Sequence, residues 1–205
     1  GFDEECDMQV FQAKLLIDAG CALAECPIYD KRQNGLYWAD IEKNRIYFLD
    51  LSTDSCCYAQ LDRPVGSIVQ MENGKLLAGL DDGVYLLDGL RYEAYCRMPE
   101  AFPENIRFND GRSDPKGRFV VGTQVVPNRA KTGHLFSVVG KDAYQILTAG
   151  VGCSNGLAWS TDQKPMYYID TLVEEPSRIY AFDYDVDTGS VANKREILDF
   201  SKEAK

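Results

Sequence analysis

One plan of strands and turns recurs along this chain at a nearly constant interval, and that repeat limits the possible folds more than any other feature. The stretches ECPIYDKRQNGLYWADIEKNRIYFLD (25–50) and SNGLAWSTDQKPMYYIDTLVEEPSRIYAFD (154–183) share a polar head, a short strand, a turn, an aromatic strand, a second turn and an IY-F-D strand. VGSIVQMENGKLLAGLDDGVYLLD (65–88) and FNDGRSDPKGRFVVGT (108–123), with GHLFSV after it, follow the same order. The heads of the four units are Glu25, Ser67, Asn109 and Asn155, spaced by 42, 42 and 46 residues. Units of this length with several strands each are blades of a β-propeller, four-stranded sheets set around a channel. A sandwich would not return one motif in phase.

The local signals agree. Segments 36–40, 45–51, 75–80, 83–89, 118–123, 134–139, 166–171 and 178–185 are short, aromatic and β-branched. Turn formers such as ENG, DDG, DPKG and DVDTG separate them. No segment sustains a helical period, so the chain reads as all-β. The early run QVFQAKLLI (9–17) is expected as a strand that closes the ring on the last blade.

Composition narrows the partners. With 32 acidic residues against 22 basic ones and a net charge of −10, the surface repels phosphate backbones and anionic lipid, which argues against nucleic acid and membranes. No apolar run approaches the ~20 residues of a membrane helix. The acidic N-terminus lacks the pattern of a secretory signal. Residues 1–7, ahead of Met8, are read as a remnant or flexible tail, and 8–205 as a single propeller domain. Seven cysteines without CxxC pairing read as reduced, buried, small hydrophobes in a cytoplasmic protein.

In a propeller the heads begin the innermost strands and ring the channel. Glu25, Asn109 and Asn155 there offer one carboxylate and two amide oxygens, a donor set for a hard cation: Ca2+ first, with Mg2+, Mn2+ or Zn2+ as alternatives. Arg107 lies two residues before Asn109 and faces the same way if the segment is extended. Against this stands the plainer reading that NDG and NGL are turns; the common phase of the heads favours a site. Asp110 is assigned to its turn. Asp170 is matched with Asp50 and Asp88 as a structural cap, and Trp38 and Trp159 are taken as equivalent core positions. His134 is read as structural, and the segment from Asp185 to Gly189 as a hairpin turn.

AECPIYD (24–30), RFNDGRSDPKGRFVVGT (107–123), SNGLAWSTDQKPMYYIDT (154–171) and FDYDVDTG (182–189) resemble the SMP-30/gluconolactonase/luciferin-regenerating-enzyme family. The resemblance implies a six-bladed propeller, of which about four blades are present here, with one divalent metal in the channel. It implies hydrolysis of sugar lactones such as gluconolactone. By position, Glu25 and Asn155 match metal ligands, while Arg107 and Asn109 match substrate contacts. Two departures accompany it. The segment Gln124–Pro127 lacks the carboxylate that many members carry after the GT. The family's remaining ligand, an Asp in a PDG motif that is also the favoured general base, falls beyond residue 205, so the ring reads as incomplete and no catalytic base is assigned within the chain. Two other readings stand beside the lactonase: a non-enzymatic calcium-binding or interaction propeller, and a related phosphotriesterase-type hydrolase.

Overall fold

The computed structural model describes residues 11–89, 91–98, 105–127, 130–171 and 178–200. It contains sixteen strands and, among the described residues, no α-helix. They form four four-stranded antiparallel sheets, each connected in chain order. The first blade comprises β1 (Ala24–Asp30), β2 (Gly35–Asp40), β3 (Arg45–Asp50) and β4 (Ser55–Gln60). The second runs through β5 (Ser67–Gln70), β6 (Leu76–Gly79), β7 (Gly83–Asp88) and β8 (Arg91–Arg97). The third has β9 (Ile106–Ser113), β10 (Phe119–Val125), β11 (Gly133–Gly140) and β12 (Ala143–Val151). In the fourth are β13 (Ser154–Trp159), β14 (Pro165–Asp170), β15 (Arg178–Tyr184) and β16 (Val191–Asp199). The all-β propeller architecture expected from the repeat is the one observed. Innermost strands β1, β5, β9 and β13 neighbour one another in that order, and the four blades form an open arc.

Turn chemistry explains the first blade directly. Its three hairpins place Asn34, Asn44 and Asp54 at φ of 46°, 55° and 56°. That left-handed region is disfavoured for most side chains but tolerated by Asn and Asp. The reversals therefore fall where the sequence supplies those residues.

Alternation then sorts side chains between neighbouring blades. Phe119 and Val121 point into the core shared by the second and third blades, with Phe108 and Phe136. Val120, between them, joins the core of the third and fourth blades, with Tyr168 and Phe182. Both faces of β10 are thus buried, so it reads as a continuous apolar run. Complete burial of each such side chain contributes about 1.5–3 kcal/mol.

Charged staples cross the first–second and third–fourth interfaces. Buried Asp30, which ends β1, accepts hydrogen bonds from Gln70 Nε2 of the second blade at 2.6 Å and from Gln33 Nε2 at 2.8 Å. Arg32 donates to Met71 O and Glu72 O of that blade. Asp114, five residues after the Asn109 head as Asp30 is five after Glu25, repeats the device: it accepts from Tyr184 Oη of the fourth blade, and from Arg118 Nε at 2.6 Å. Arg118 also donates to Val186 O and Asp187 O.

Several expectations are corrected. Residues 11–17 form no strand; Ile17, Ala19 and Cys21 instead pack on Trp38, Tyr47 and Leu49 of the first blade, where apolar contact replaces ladder pairing. Residues 9 and 10 of that run, and residues 1–7, lie outside the described residues. Cys96 and Cys153 are buried, but Cys56 and Cys57 are exposed because β4 is an outermost strand facing solvent. Cys6 lies outside the described residues. Trp38 belongs to a second strand and Trp159 to a first, so they are not equivalent, although both pack in cores. The sequence segments 185–189 do form the β15–β16 hairpin turn, with Asp185 Oδ1 accepting from the N–H groups of Asp187 and Thr188.

Candidate functional site

Three of the four innermost strands break their ladders beside the head residue. In β1 the register with β2 shifts between Glu25 and Ile28, and Cys26 sits at φ 55°. In β13 it shifts between Asn155 and Leu157, with Gly156 at φ 54°. In β9 the shift falls opposite 121–123, in the stretch that carries Asn109 and Asp110. These are β-bulges, which leave a residue unpaired and re-aim its side chain. NDG and NGL are therefore not turns: β9 runs through Asp110 and Gly111 to Ser113.

The bulges bring the heads together. Glu25, Arg107, Asn109 and Asn155 line one cavity of about 450 Å³, with Gln124 and Cys153 in the same wall and Glu42 and Asn44 from the β2–β3 turn. Ser67, the fourth head, is fully buried and donates its hydroxyl to Gly111 O at 3.1 Å, tying the second blade to the third.

A hydrogen-bonded row runs along the cavity wall. Arg107 Nη2 donates to Gln124 Oε1 at 2.7 Å, and Nη1 donates to Asn109 Oδ1 at 2.9 Å and Phe108 O at 2.8 Å. Asn109 Nδ2 donates to Ser154 O at 2.8 Å and to Asn155 Oδ1 at 3.2 Å. Asn155 Nδ2 donates to Thr171 Oγ1 at 3.1 Å. Each amide thus has a defined orientation, and the row joins the third blade to the fourth.

Two carboxylates support the site from behind. Asp110 accepts from the Gly156 N–H of the fourth blade at 2.8 Å and from Gly111 N–H at 2.9 Å. It therefore does more than the turn duty assigned to it: it fixes the bulge that carries Asn155. Asp170 accepts from the N–H groups of Gly152 and Cys153, the latter at 2.8 Å. Its true counterpart is Asp40, which accepts from Ala22 and Leu23 N–H at 3.0 Å each. Both end second strands, whereas Asp50 and Asp88 end third strands, because the aromatic-strand-plus-Asp pattern occurs in both.

The electrostatics follow from this crowding. Burial, and secondarily the negative charge of Asp110, raise the Glu25 carboxyl above its usual range, with the Arg107 guanidinium opposing. Burial also raises Asp110 and Asp170, despite the N–H groups that favour their charged forms. His134 heads β11 away from the cavity wall, its backbone N–H bonded to Thr123 Oγ1 at 2.9 Å. Among the described residues, no group of three or more His, Cys, Asp or Glu side chains is placed to hold a metal ion. The head residues in the cavity instead offer one carboxylate, Glu25, with the amides of Asn109 and Asn155, which sequence spacing located through phase. Sequence does not show that Gln124 meets Arg107 or that Thr171 meets Asn155, because only pairing of β10 with β9 and the end of β14 bring them there.

A family model described as the SMP-30/Gluconolactonase/LRE-like region matches residues 23–205. The chain belongs to this family. Among curated family relatives, it is 35% identical over 187 residues to the 6-deoxy-6-sulfogluconolactonase of Pseudomonas putida, covering 90% of the chain and 62% of that protein. It is 29% identical over 202 residues to human regucalcin, covering 96% and 67%. A solved luciferin-regenerating enzyme superposes with a TM-score of 0.80 at 27% identity, over 89% of this chain and 62% of that one. Regucalcin of Agrobacterium tumefaciens, described as a calcium-binding protein, shares the fold with a TM-score of 0.79 at 23% identity, over 88% and 60%. This family member thus spans about two thirds or less of the length of the proteins it matches.

Proposed function

We propose that the protein to which this chain belongs hydrolyses sugar lactones of the gluconolactone type. The observation that carries the reading is one cavity, in a lactonase-family propeller, lined together by Arg107, Asn109, Glu25 and Asn155. Asn109, whose two N–H bonds are taken by Ser154 O and Asn155 Oδ1, keeps a lone pair on Oδ1 to accept from a substrate hydroxyl and so orients the ring. Arg107 keeps its charge at any working pH and stabilises the oxyanion that forms when the lactone carbonyl becomes tetrahedral.

The donor chemistry fits a hard divalent cation, Ca2+ by first choice: a carboxylate oxygen of Glu25 and the Oδ1 of Asn155 face the same cavity. When bound there, the cation would polarise the lactone carbonyl and acidify water. The water-activating base is not assigned within these 205 residues.

The test is lactone opening followed by proton release, with and without added Ca2+, on gluconolactone and on a sulfonated sugar lactone. The second substrate is included because of what the Pseudomonas putida relative is named for. We expect cation-stimulated opening that falls at least about 100-fold in Glu25→Gln. Tight Ca2+ binding without turnover would favour a binding propeller, and turnover of a phosphotriester alone would favour the other hydrolase reading.

A further inference from the structure

We infer that Gln124 is a positioning residue that sets the direction of the Arg107 guanidinium in the cavity. It lies directly across from Arg107 in the β9–β10 ladder, where opposite side chains are close neighbours. Its Oε1 receives Arg107 Nη2 at 2.7 Å, while Asn109 Oδ1 receives Nη1 at 2.9 Å. Phe108 O also receives Nη1, at 2.8 Å, so Gln124 adds an acceptor on the other terminal nitrogen, and acceptors on both nitrogens fix the plane of a guanidinium more firmly than acceptors on one.

Gln124 is itself held by backbone on both sides. Its residue bridges to Cys153 of the neighbouring blade, outside the regular strands. The next N–H, of Val125, donates to Gly152 O at 3.0 Å, and the Val125 side chain is fully buried. An acceptor anchored to two blades is a rigid support, and such support is what precise placement of a charged group needs. Its neutrality matters too. A glutamine orients Arg107 without supplying a negative charge, so the guanidinium's field stays directed at what enters the cavity.

The catalytic consequence rests on the lactonase reading; the structural one does not, and the experiment separates them. Gln124→Met keeps the volume and removes the acceptor, while Gln124→Glu keeps an acceptor oxygen. For lactone opening, Gln124→Met is expected to lower kcat about tenfold with KM within about twofold. The same change made in Arg107→Met should have no further effect, since both act through one group. Independently of turnover, the guanidinium N–H signals of Arg107 in solution NMR, assigned by their loss in Arg107→Met, should be sharp in the unaltered protein. They should collapse through faster rotation in Gln124→Met and persist in Gln124→Glu. Equal losses of kcat in both backgrounds, or unchanged guanidinium signals in Gln124→Met, would overturn the inference. If the unaltered protein opens no lactone, the functional proposal fails by itself and the NMR arm still decides the role of Gln124.

Discussion

Asp114 shows how a single carboxylate can hold two blades together. Burial opposes its ionisation, yet hydrogen bonds from Tyr184, Arg118 and two backbone N–H groups outweigh burial and hold its carboxyl below the usual range. A carboxyl depressed in the folded state adds stability that is present above the unfolded value of about 4 and is lost as pH falls through the folded value. Asp114→Asn should therefore cost about 3 kcal/mol at pH 7 by leaving the half-buried Arg118 without its charged partner. The gap from the unaltered protein should narrow below about pH 4. Urea unfolding at pH 7 and pH 3 measures both. The motif DPKGR that supplies Asp114 and Arg118 reads as a turn in sequence, and a turn it is; nothing local announces that its arginine grips the fourth blade.

At the scale of elements, the decisive contact is between β5 and β9. A Cβ on Gly66 would lie 2.0 Å from Phe108 O and 2.4 Å from its carbonyl carbon, inside backbone that cannot rotate away. Gly66→Ala should push β9 off the second blade, costing about 2–3 kcal/mol in thermal or urea unfolding. It should also disturb the Arg107 guanidinium signals, since Arg107 precedes Phe108. Gly140→Ala, with nothing within 4 Å of the added carbon, is the control and should stay within about 0.5 kcal/mol. The repeat phase made the innermost strands legible, but their bulges were not. A bulge depends on how many residues of one strand oppose those of another, and that register exists only after pairing. Hence NDG and NGL looked like turns.

For the whole molecule, the two oxygen donors assigned to a cation come from the first blade and the fourth, the ends of the open arc. A ligand that binds the folded state alone stabilises it, by about 2.7 kcal/mol at 100 times its Kd. For a chain of this size each kcal/mol moves Tm by roughly 2–4 °C. Saturating Ca2+ should thus raise Tm by several degrees, and Glu25→Gln should abolish the rise, read by differential scanning fluorimetry. An unchanged Tm in the unaltered protein would count against a cation bridging these blades.

The amino-acid sequence determined the strand periods, the length of the repeat and the shared phase of Glu25, Asn109 and Asn155. Those are properties of neighbours along the chain, set by side-chain alternation and turn residues. Tertiary structure alone decided that Gln124 braces Arg107, that Thr171 fixes Asn155, and that residues 11–17 lie unpaired. These depend on which segments meet across blade interfaces, and such meetings are settled by packing between residues far apart in the chain.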